Sequence, residues 1–216
     1  MSEEDRPFLK QLPLGPMDNF IYLVGDPATR EVAAIDPAWN AAAILDAARA
    51  AGYAITAIWL THGHYDHTNA VADLLEAIGD VPVYLSRQMP AKWRPDAATV
   101  VELDDGDAVS VGQVRFTAIH TPGHSPDGLC FFHGSILIAG DTLFIDGCGR
   151  CDLPDSDVDA MYESIHQRLM RLPDETVIYP GHDYGPAPFD TLANQKRTNR
   201  FMRAATREAF VRERMG

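Results

Sequence analysis

The sequence predicts an α+β fold in which two β-sheets pack face to face and helices lie outside them. Two observations lead to this prediction. Strand-like runs outnumber helical ones along the 216 residues, and the helices come singly, without an internal repeat. The length suits one large domain. We therefore expect a single domain over residues 1–216, with a helical C-terminal segment from about residue 190.

The first half of the chain alternates strands with single helices. An alanine-rich helix is predicted between Asn40, which caps it, and Gly52, which stops it. A second helix, capped by Thr68 or Asn69, is predicted from apolar residues that recur with helical spacing. The predicted strands of this half are Phe8 to Leu14, Asn19 to Val24, Glu31 to Ile35, Ile55 to Leu60 and Val81 to Leu85.

The second half is predicted to contain more strands and two longer helices. The amphipathic run from Val158 to Leu172 predicts one helix, with Met161, Ile165 and Leu169 along one side. The charged run from Thr191 to about Met215 predicts the other. The predicted strands are Val100 to Leu103, Ala108 to Val111, Val114 to Ile119, Leu129 to Phe132, Ile136 to Ala139 and Thr176 to Tyr179.

Charge and composition restrict the class of partner. A formal net charge of −13 argues against a nucleic-acid partner, which would require clustered Lys and Arg. No run approaches the roughly 20 apolar residues of a membrane span. The segment from Met1 to Pro7 lacks the basic-then-apolar order of a signal peptide. We therefore expect a cytoplasmic protein with no membrane partner. The oligomeric state stays open, a homodimer being one option.

The segment from Thr61 to Thr68 contains three histidines and an aspartate, which are His62, His64, Asp66 and His67. Imidazole nitrogen and carboxylate oxygen are ligands that zinc and iron prefer. An apolar strand ending at Leu60 leads into the segment, so we expect the cluster on a loop at the end of a strand. This spacing favours a metal site over a polar turn.

Three later strand ends also place a glycine before a ligand-type residue. The residues concerned are His124, Asp141 and His182, and they bring the number of candidate ligands to seven. One metal with an open position needs three protein ligands, so the set suits two metals with a bridging carboxylate. Two such metals can bind one water molecule between them and lower its pKa toward neutrality, so that they share a hydroxide. No Ser, Cys or Lys nucleophile is then required.

The run His62-Gly63-His64-Tyr65-Asp66-His67, followed by the distant His124, Asp141 and His182, resembles the metallo-β-lactamase superfamily. The hallmark of that superfamily is H-x-H-x-D-H with a later His, Asp and His. The resemblance implies a four-layer αββα sandwich, the metallo-β-lactamase fold, with the metal site at one edge of the sheets.

The same resemblance implies roles for the individual residues. One metal takes His62, His64 and His124, the other takes Asp66, His67 and His182, and Asp141 bridges them. Asp66 and Asp141 are thus the expected catalytic carboxylates, acting with a metal-bound water. Asp36 and Asp183 are candidates to orient a ligand or that water. For Asp36, the alternative is a turn aspartate before Pro37.

Two further runs, Gly140 to Phe144 and Cys148-Gly149-Arg150, resemble the glyoxalase II (hydroxyacylglutathione hydrolase) branch. This resemblance implies hydrolysis of thioesters of glutathione or a similar thiol. It also implies two divalent metal ions, zinc foremost, with iron or manganese as options. In that branch, a cation matching Arg150 binds a glutathione carboxylate and a tyrosine matching Tyr184 contacts the tripeptide. For Arg150, the alternative is a surface ion pair with Asp152 or Asp155.

A rival resemblance is to the persulfide dioxygenases, which carry G-C-G-R-x-D where this chain has Gly147 to Asp152. The runs Tyr179 to Tyr184 and Lys196 to Asn199 resemble them too. This alternative implies one Fe(II), held by His62, His124 and Asp141, that activates O₂ and oxidises glutathione persulfide. Both groups of enzymes retain the remaining histidines, so the ligands do not separate them. A lactonase or β-lactamase-type hydrolase is a further alternative.

The cysteines do not form a disulfide framework, because their number is odd. They are Cys130, Cys148 and Cys151, and the last two form a C-x-x-C pair. A redox or metal-binding role for this pair stays open beside the interpretation as reduced thiols. The remaining histidines, His120, His133 and His166, are expected to be surface or packing residues.

Overall fold

Two six-stranded sheets form the centre of the computed structural model, which describes residues 6–216. The strands of the first sheet, in spatial order, are β1 (Phe8–Leu14), β2 (Asn19–Asp26), β3 (Glu31–Ile35), β4 (Ala54–Trp59), β5 (Val83–Ser86) and β6 (Val100–Leu103). β1 and β2 are antiparallel, as are β2 and β3, whereas β3 through β6 run parallel.

The second sheet is mostly antiparallel. Its strands, in spatial order, are β7 (Ala108–Val111), β8 (Val114–His120), β9 (Leu129–His133), β10 (Ile136–Gly140), β13 (Val177–Pro180) and β14 (Asp190–Thr191). β10 and β13 are parallel neighbours, and the other pairs are antiparallel. Between these two strands in the chain, β11 (Leu143–Phe144) and β12 (Gly147–Cys148) form a small hairpin that the sequence did not predict.

The sheets pack face to face because strand residues alternate between two apolar environments. In β2, Phe20 and Tyr22 belong to the core between the sheets, while Ile21 belongs to the core beneath the helices. Trp59 of β4 is fully buried, and its ring centroid lies 5.3 Å from that of Phe116 on the opposite sheet. The first sheet is therefore apolar on both faces.

Helices cover the outer face of each sheet. Ile44 of α1 (Ala41–Ala50) and Leu74 of α3 (Val71–Ile78) are buried against the first sheet. Met161 of α4 (Val158–Glu163) and Phe210 of α6 (Arg207–Met215) are buried against the second. The predicted four-layer αββα arrangement is confirmed. Within residues 6–216, no helix is both long and apolar enough to cross a membrane.

The predicted cap of the second helix is wrong. Thr68 is the last residue of a short helix, α2 (Tyr65–Thr68), and α3 begins after Ala70, whose side chain makes no capping bond. The Asn69 side chain instead accepts a hydrogen bond from the backbone N–H of Trp39, at 2.6 Å. The Asn69 side chain, which could have capped α3, therefore bonds to a residue 30 positions earlier in the chain.

The two long predicted helices are each interrupted. After α4, the chain continues as a π-helical turn (Ser164–Arg168) and a 3₁₀ turn (Leu169–Arg171). The C-terminal helical segment is two helices, α5 (Leu192–Thr198) and α6. Asn199 ends α5 with an extended backbone, because its side-chain amide donates to the carbonyl of Gly147, at 3.0 Å. Tertiary hydrogen bonds therefore end this helix.

Backbone hydrogen bonds join the two sheets at the edge where β4, β10 and β13 end. Leu129 N donates to Thr61 O at 2.7 Å, just beyond the end of β4. Phe20 N donates to Gly181 O, and Gly181 N to Gly140 O, both at 2.8 Å. The segments that carry the candidate ligands thus start from a single, hydrogen-bonded edge.

Candidate metal centre

The first group of candidate ligands consists of three imidazoles. His62 Nε2 lies 3.1 Å from His64 Nδ1, and His64 Nδ1 lies 2.9 Å from His124 Nε2. His62 and His64 flank Gly63 directly after β4, whereas His124 follows β8 after a turn at Gly123. The structure brings together these three residues, as the resemblance implied.

The second group contains Asp66, His67 and His182. Asp66 and His67 lie in α2, and His182 follows β13. His67 Nε2 lies 3.1 Å from His182 Nε2, and Asp66 Oδ2 lies 3.5 and 3.4 Å from these two nitrogens. His67 and His182 are almost fully buried. The ligand atoms of each group fall within 4.8 Å of one another.

Asp141 lies between the two groups. Its Oδ2 is 3.5 Å from His124 Nε2 and 3.2 Å from His182 Nε2, and its Oδ1 is 3.4 Å from His67 Nε2. Oδ1 is buried without a well-formed hydrogen bond. A Cβ at Gly181 would overlap this oxygen, so a glycine is required there for space. At Gly140, in contrast, a positive φ of 49° requires it.

Hydrogen bonds to the opposite ring nitrogens determine the tautomers. His124 Nδ1 donates to Arg150 O at 2.9 Å, and His182 Nδ1 donates to Met17 O at 2.8 Å, since carbonyls only accept. His67 Nδ1 likewise faces the carboxylate of Asp36 at 3.0 Å. When both rings are neutral, the Nε2 atoms of His67 and His182 therefore present lone pairs to each other across 3.1 Å, an arrangement that is favourable only with a proton or a metal ion between them.

The pKa shifts point the same way. Burial lowers the pKa of His62 well below its usual value and that of His64 to about 4, so both are neutral at pH 7. Burial alone would also lower the pKa of His67, but Asp141 and Asp36 raise it well above its usual value. In Asp141, burial is outweighed by His67 and His182, which lower the pKa. The buried carboxylates thus favour a positive charge at the centre, and its residues fit a metal-binding cluster.

Asp36 supports the centre from behind. Its Oδ1 accepts from Thr61 N at 2.7 Å, and its Oδ2 accepts from Thr61 Oγ1 at 2.6 Å and faces His67 Nδ1. The backbone of Asp36 has a positive φ of 52°, which aims the side chain at the metal centre. Asp36 therefore orients a candidate ligand as well as forming a turn.

Asp183, the other residue expected to orient a ligand, does not reach the centre. Its side chain is exposed, and among residues 6–216 no hydrogen bond joins its carboxylate to a candidate ligand. Asp183 follows His182 in sequence, but the chain turns it toward solvent. No contact among the described residues therefore supports the expected role of Asp183 in orienting a ligand.

A cavity of about 380 Å³ is lined by five of the seven candidate ligands, which are His64, Asp66, His124, Asp141 and His182. The other residues lining it are Met17, Tyr65, Phe144, Arg150, Leu153 and Tyr184. Tyr184 stacks on the ring of His182, with a centroid distance of 4.5 Å and an interplanar angle of 10°. Arg150 forms a two-pronged ion pair with Asp152, at 3.0 and 2.9 Å, as one of the sequence alternatives proposed. Both predicted substrate residues thus lie at this cavity.

Two residues at the centre went unrecognised in the sequence. Asn19 Nδ2 donates to Asp66 Oδ2 at 3.1 Å and to Asp66 O at 3.0 Å. Trp39 Nε1 donates to Asn19 Oδ1 at 2.7 Å and thereby orients the amide. Neither residue belongs to a ligand motif, and 47 residues separate Asn19 from Asp66. No local signal marks such a contact.

The cysteines lie outside the centre. All three thiols are free and buried, and Cys148 and Cys151 pack in the core beneath the helices of the second sheet. Burial raises the pKa of Cys151 to about 11 and that of Cys148 further. His120 and His166 bond through Nε2 to backbone carbonyls, consistent with packing roles.

Comparisons with known proteins agree with this geometry. The family model of the metallo-beta-lactamase superfamily matches residues 14–182. A probable polyketide biosynthesis zinc-dependent hydrolase, PksB of Bacillus subtilis, is 30% identical over 194 residues, which are 90% of this chain and 86% of that protein. Hydroxyacylglutathione hydrolase of Yersinia pestis is 37% identical over 83% of this chain, which spans 65% of that relative. The crystal structure of ETHE1 from Myxococcus xanthus superimposes with a TM-score of 0.88 at 31% identity, covering 97% of this chain and 90% of that one.

Proposed function

This chain belongs to the metallo-beta-lactamase superfamily, and from that premise we propose that it is a metal-dependent hydrolase of thioesters of glutathione or a similar thiol. One observation carries the proposal: two groups of ligand atoms, joined by Asp141, each contribute residues to the lining of a single cavity. The similarity to a hydroxyacylglutathione hydrolase and to a zinc-dependent hydrolase supports it.

The proposed ligands for the two ions are the two groups described above, His62, His64 and His124, and Asp66, His67 and His182, with Asp141 shared. Nitrogen and carboxylate ligands suit zinc, and iron or manganese are options that depend on availability. When bound, such ions lower the pKa of water and polarise the thioester carbonyl. Asp36 and the carbonyls of Met17 and Arg150 keep the imidazoles oriented for this purpose.

We assign the proton-accepting role to Asp66. It lines the cavity, and Asn19 holds its Oδ2. Among the described residues, no hydrogen bond occupies its Oδ1, which is left to accept a proton from the attacking water. Hydrolysis then forms a C–O bond and breaks the C–S bond, and the released sulfur takes up a proton.

Arg150 and Tyr184 are the proposed contacts to the thiol carrier. Arg150 is 61% exposed, and its guanidinium is the only Lys or Arg group among the described residues that line the cavity. A substrate carboxylate would replace Asp152 in the same two-pronged geometry. Tyr184 is 55% exposed and offers a phenol beside His182.

The second candidate is a persulfide dioxygenase with one Fe(II) held by His62, His124 and Asp141. A specific contact favours it, because two segments that carry this resemblance lie together. Asn199 Nδ2 donates to Gly147 O at 3.0 Å, and Thr198 Oγ1 donates to Asp146 Oδ1 at 2.6 Å. The segment beginning at Lys196 thus supports the loop that carries Arg150.

Metal content, measured together with oxygen uptake, separates the two candidates. Purified protein would be analysed for zinc, iron and manganese, and assayed with S-lactoylglutathione and, in parallel, with glutathione persulfide. Two ions per chain with thioester hydrolysis and no oxygen uptake are expected. One iron per chain with persulfide-dependent oxygen consumption would replace the hydrolase proposal with the dioxygenase.

A further inference from the structure

Two apolar side chains form an exposed lip on one side of the cavity. Met17, in the turn between β1 and β2, is 44% exposed, and Tyr65, the first residue of α2, is 75% exposed. Both line the cavity that five of the candidate ligands also line. Apolar surface next to a polar reaction centre indicates a binding site for an apolar group.

Trp39 contacts the segments on both sides of the lip. The ring of Trp39 meets that of Tyr65 edge-on, with a centroid distance of 6.3 Å. Gly15, two residues before Met17, lies so close to the Trp39 indole that a Cβ there would overlap it. Asn69 Oδ1 and Asn19 Oδ1 accept from the backbone and indole N–H groups of Trp39. Contacts to Trp39 therefore position both sides of the lip.

The lip and Arg150 are tied to different ligand groups. Trp39 and Asn19 connect the lip to Asp66, in the second ligand group. The carbonyl of Arg150 binds the ring of His124, in the first ligand group. A thioester placed with its carbonyl above the ligands can therefore extend one arm toward Arg150 and the other toward the lip.

We propose that the lip of Met17 and Tyr65 binds the acyl arm, and that the preferred substrates are thioesters of apolar acyl groups longer than lactoyl. This inference rests on the proposed thioesterase function. The thioether of Met17 can bury methylene groups but gives a hydroxyacyl group no donor. Each further methylene placed against the lip should raise kcat/KM about fourfold, equivalent to about 0.8 kcal/mol.

The test is a substrate series with the metal-loaded full-length chain. S-lactoylglutathione, S-butanoylglutathione and S-hexanoylglutathione share one thiol arm and differ in the acyl group. Hydrolysis releases one thiol per thioester, so a thiol-reactive dye follows all three. The expected order of kcat/KM is hexanoyl, then butanoyl, then lactoyl, with about a 16-fold step between the first two, which differ by two methylenes.

A matched pair of methionine variants tests the assignment to the lip. Met17→Ala should reduce the preference for hexanoyl over butanoyl by at least about threefold, roughly the contribution of one methylene. Met215→Ala is the control, because Met215 is 48% exposed at the C-terminal end and does not line the cavity. It should leave the preference unchanged.

The possible results distinguish a failure of the acyl-binding inference from a failure of the proposed thioesterase function. If lactoyl is hydrolysed as well as hexanoyl, or if Met17→Ala keeps the full preference, the acyl-binding lip is refuted while the thioesterase stands. If the metal-loaded protein cleaves none of the three thioesters, the proposed function fails, and the inference fails with it.

Discussion

Asn19 holds Asp66 by two hydrogen bonds, one to the side-chain Oδ2 at 3.1 Å and one to the backbone carbonyl at 3.0 Å. Asn19 is the first residue of β2, and Asp66 lies in α2. The Asn19 amide thus fixes Oδ2 of the Asp66 carboxylate, while Oδ1 is left to accept a proton from water. Such contacts behind a ligand commonly decide how well a metal is held.

Replacing Asn19 with leucine should weaken metal binding at the second ligand group. The change keeps the branched outline of the side chain but removes the amide that orients Asp66, so metal affinity there is expected to fall by about 10- to 100-fold. Competition with a chromophoric chelator measures the affinity. Asn194→Leu is the control, because Asn194 makes a similar bond to Asp190, at 2.6 Å, outside the cavity. Equal affinities in both variants would contradict the role of Asn19.

Neutralising Asp152 and truncating Arg150 should have opposite effects on the hydrolysis of glutathione thioesters. Arg150→Ala removes the proposed carboxylate contact, so kcat/KM should fall by about 10- to 100-fold. Asp152→Asn frees the guanidinium from its exposed ion pair, so KM should fall up to about fivefold. Steady-state kinetics decide the matter. If KM were unchanged in both variants, Arg150 and Asp152 would form a surface ion pair that does not contact the substrate.

Replacing Asp141 with asparagine should abolish activity and reduce metal content. The shared carboxylate faces nitrogens of both groups, so its charge supports both ions. We expect activity to fall by at least about 100-fold, with less than two ions per chain by elemental analysis. Asp183→Asn is the control, because Asp183 is exposed beside the ligand His182 and should leave both properties intact. Full activity in Asp141→Asn would refute the metal assignment itself.

Stability should fall at alkaline pH because Cys130 is buried. Burial raises the pKa of this thiol from about 9.0 to about 11. The folded state therefore keeps the thiol protonated where the unfolded chain ionises it, and stability is full below about pH 9 and is lost as the pH rises through 11. The loss should be about 1.4 kcal/mol per pH unit for this group. Urea unfolding at pH 8 and pH 10.5 measures it, and Cys130→Ala should show a smaller loss.

The strands and the candidate ligands could be predicted because their signals are local. Apolar alternation marks strands such as β2, and the spacing of His62, His64, Asp66 and His67 restricts them to one short segment. Glycines before His124 and Asp141 mark the points where the chain turns sharply. The buried apolar residues Met161, Ile165 and Leu169 were also predictable, although the helix that carries them widens into a π-turn.

The helix boundaries could not be predicted where distant segments compete for polar groups. Asn69 binds Trp39 and does not cap α3, and Asn199 binds Gly147 and ends α5. The resemblance made Asp183 a candidate to orient a ligand, but its side chain is exposed although it directly follows the candidate ligand His182. In each case, the result depends on which partner the folded chain brings near.

By itself, the sequence determined the layered fold class and the set of metal-binding residue types, because periodicity and short motifs are properties of neighbouring residues. Only the tertiary structure decided how these groups meet. It placed Asp141 between the two ligand groups, Asn19 behind Asp66, and Met17 and Tyr65 at one cavity. These relations join residues from separate strands, turns and helices, and they exist only once the two sheets have packed together and brought the ends of their strands to one edge.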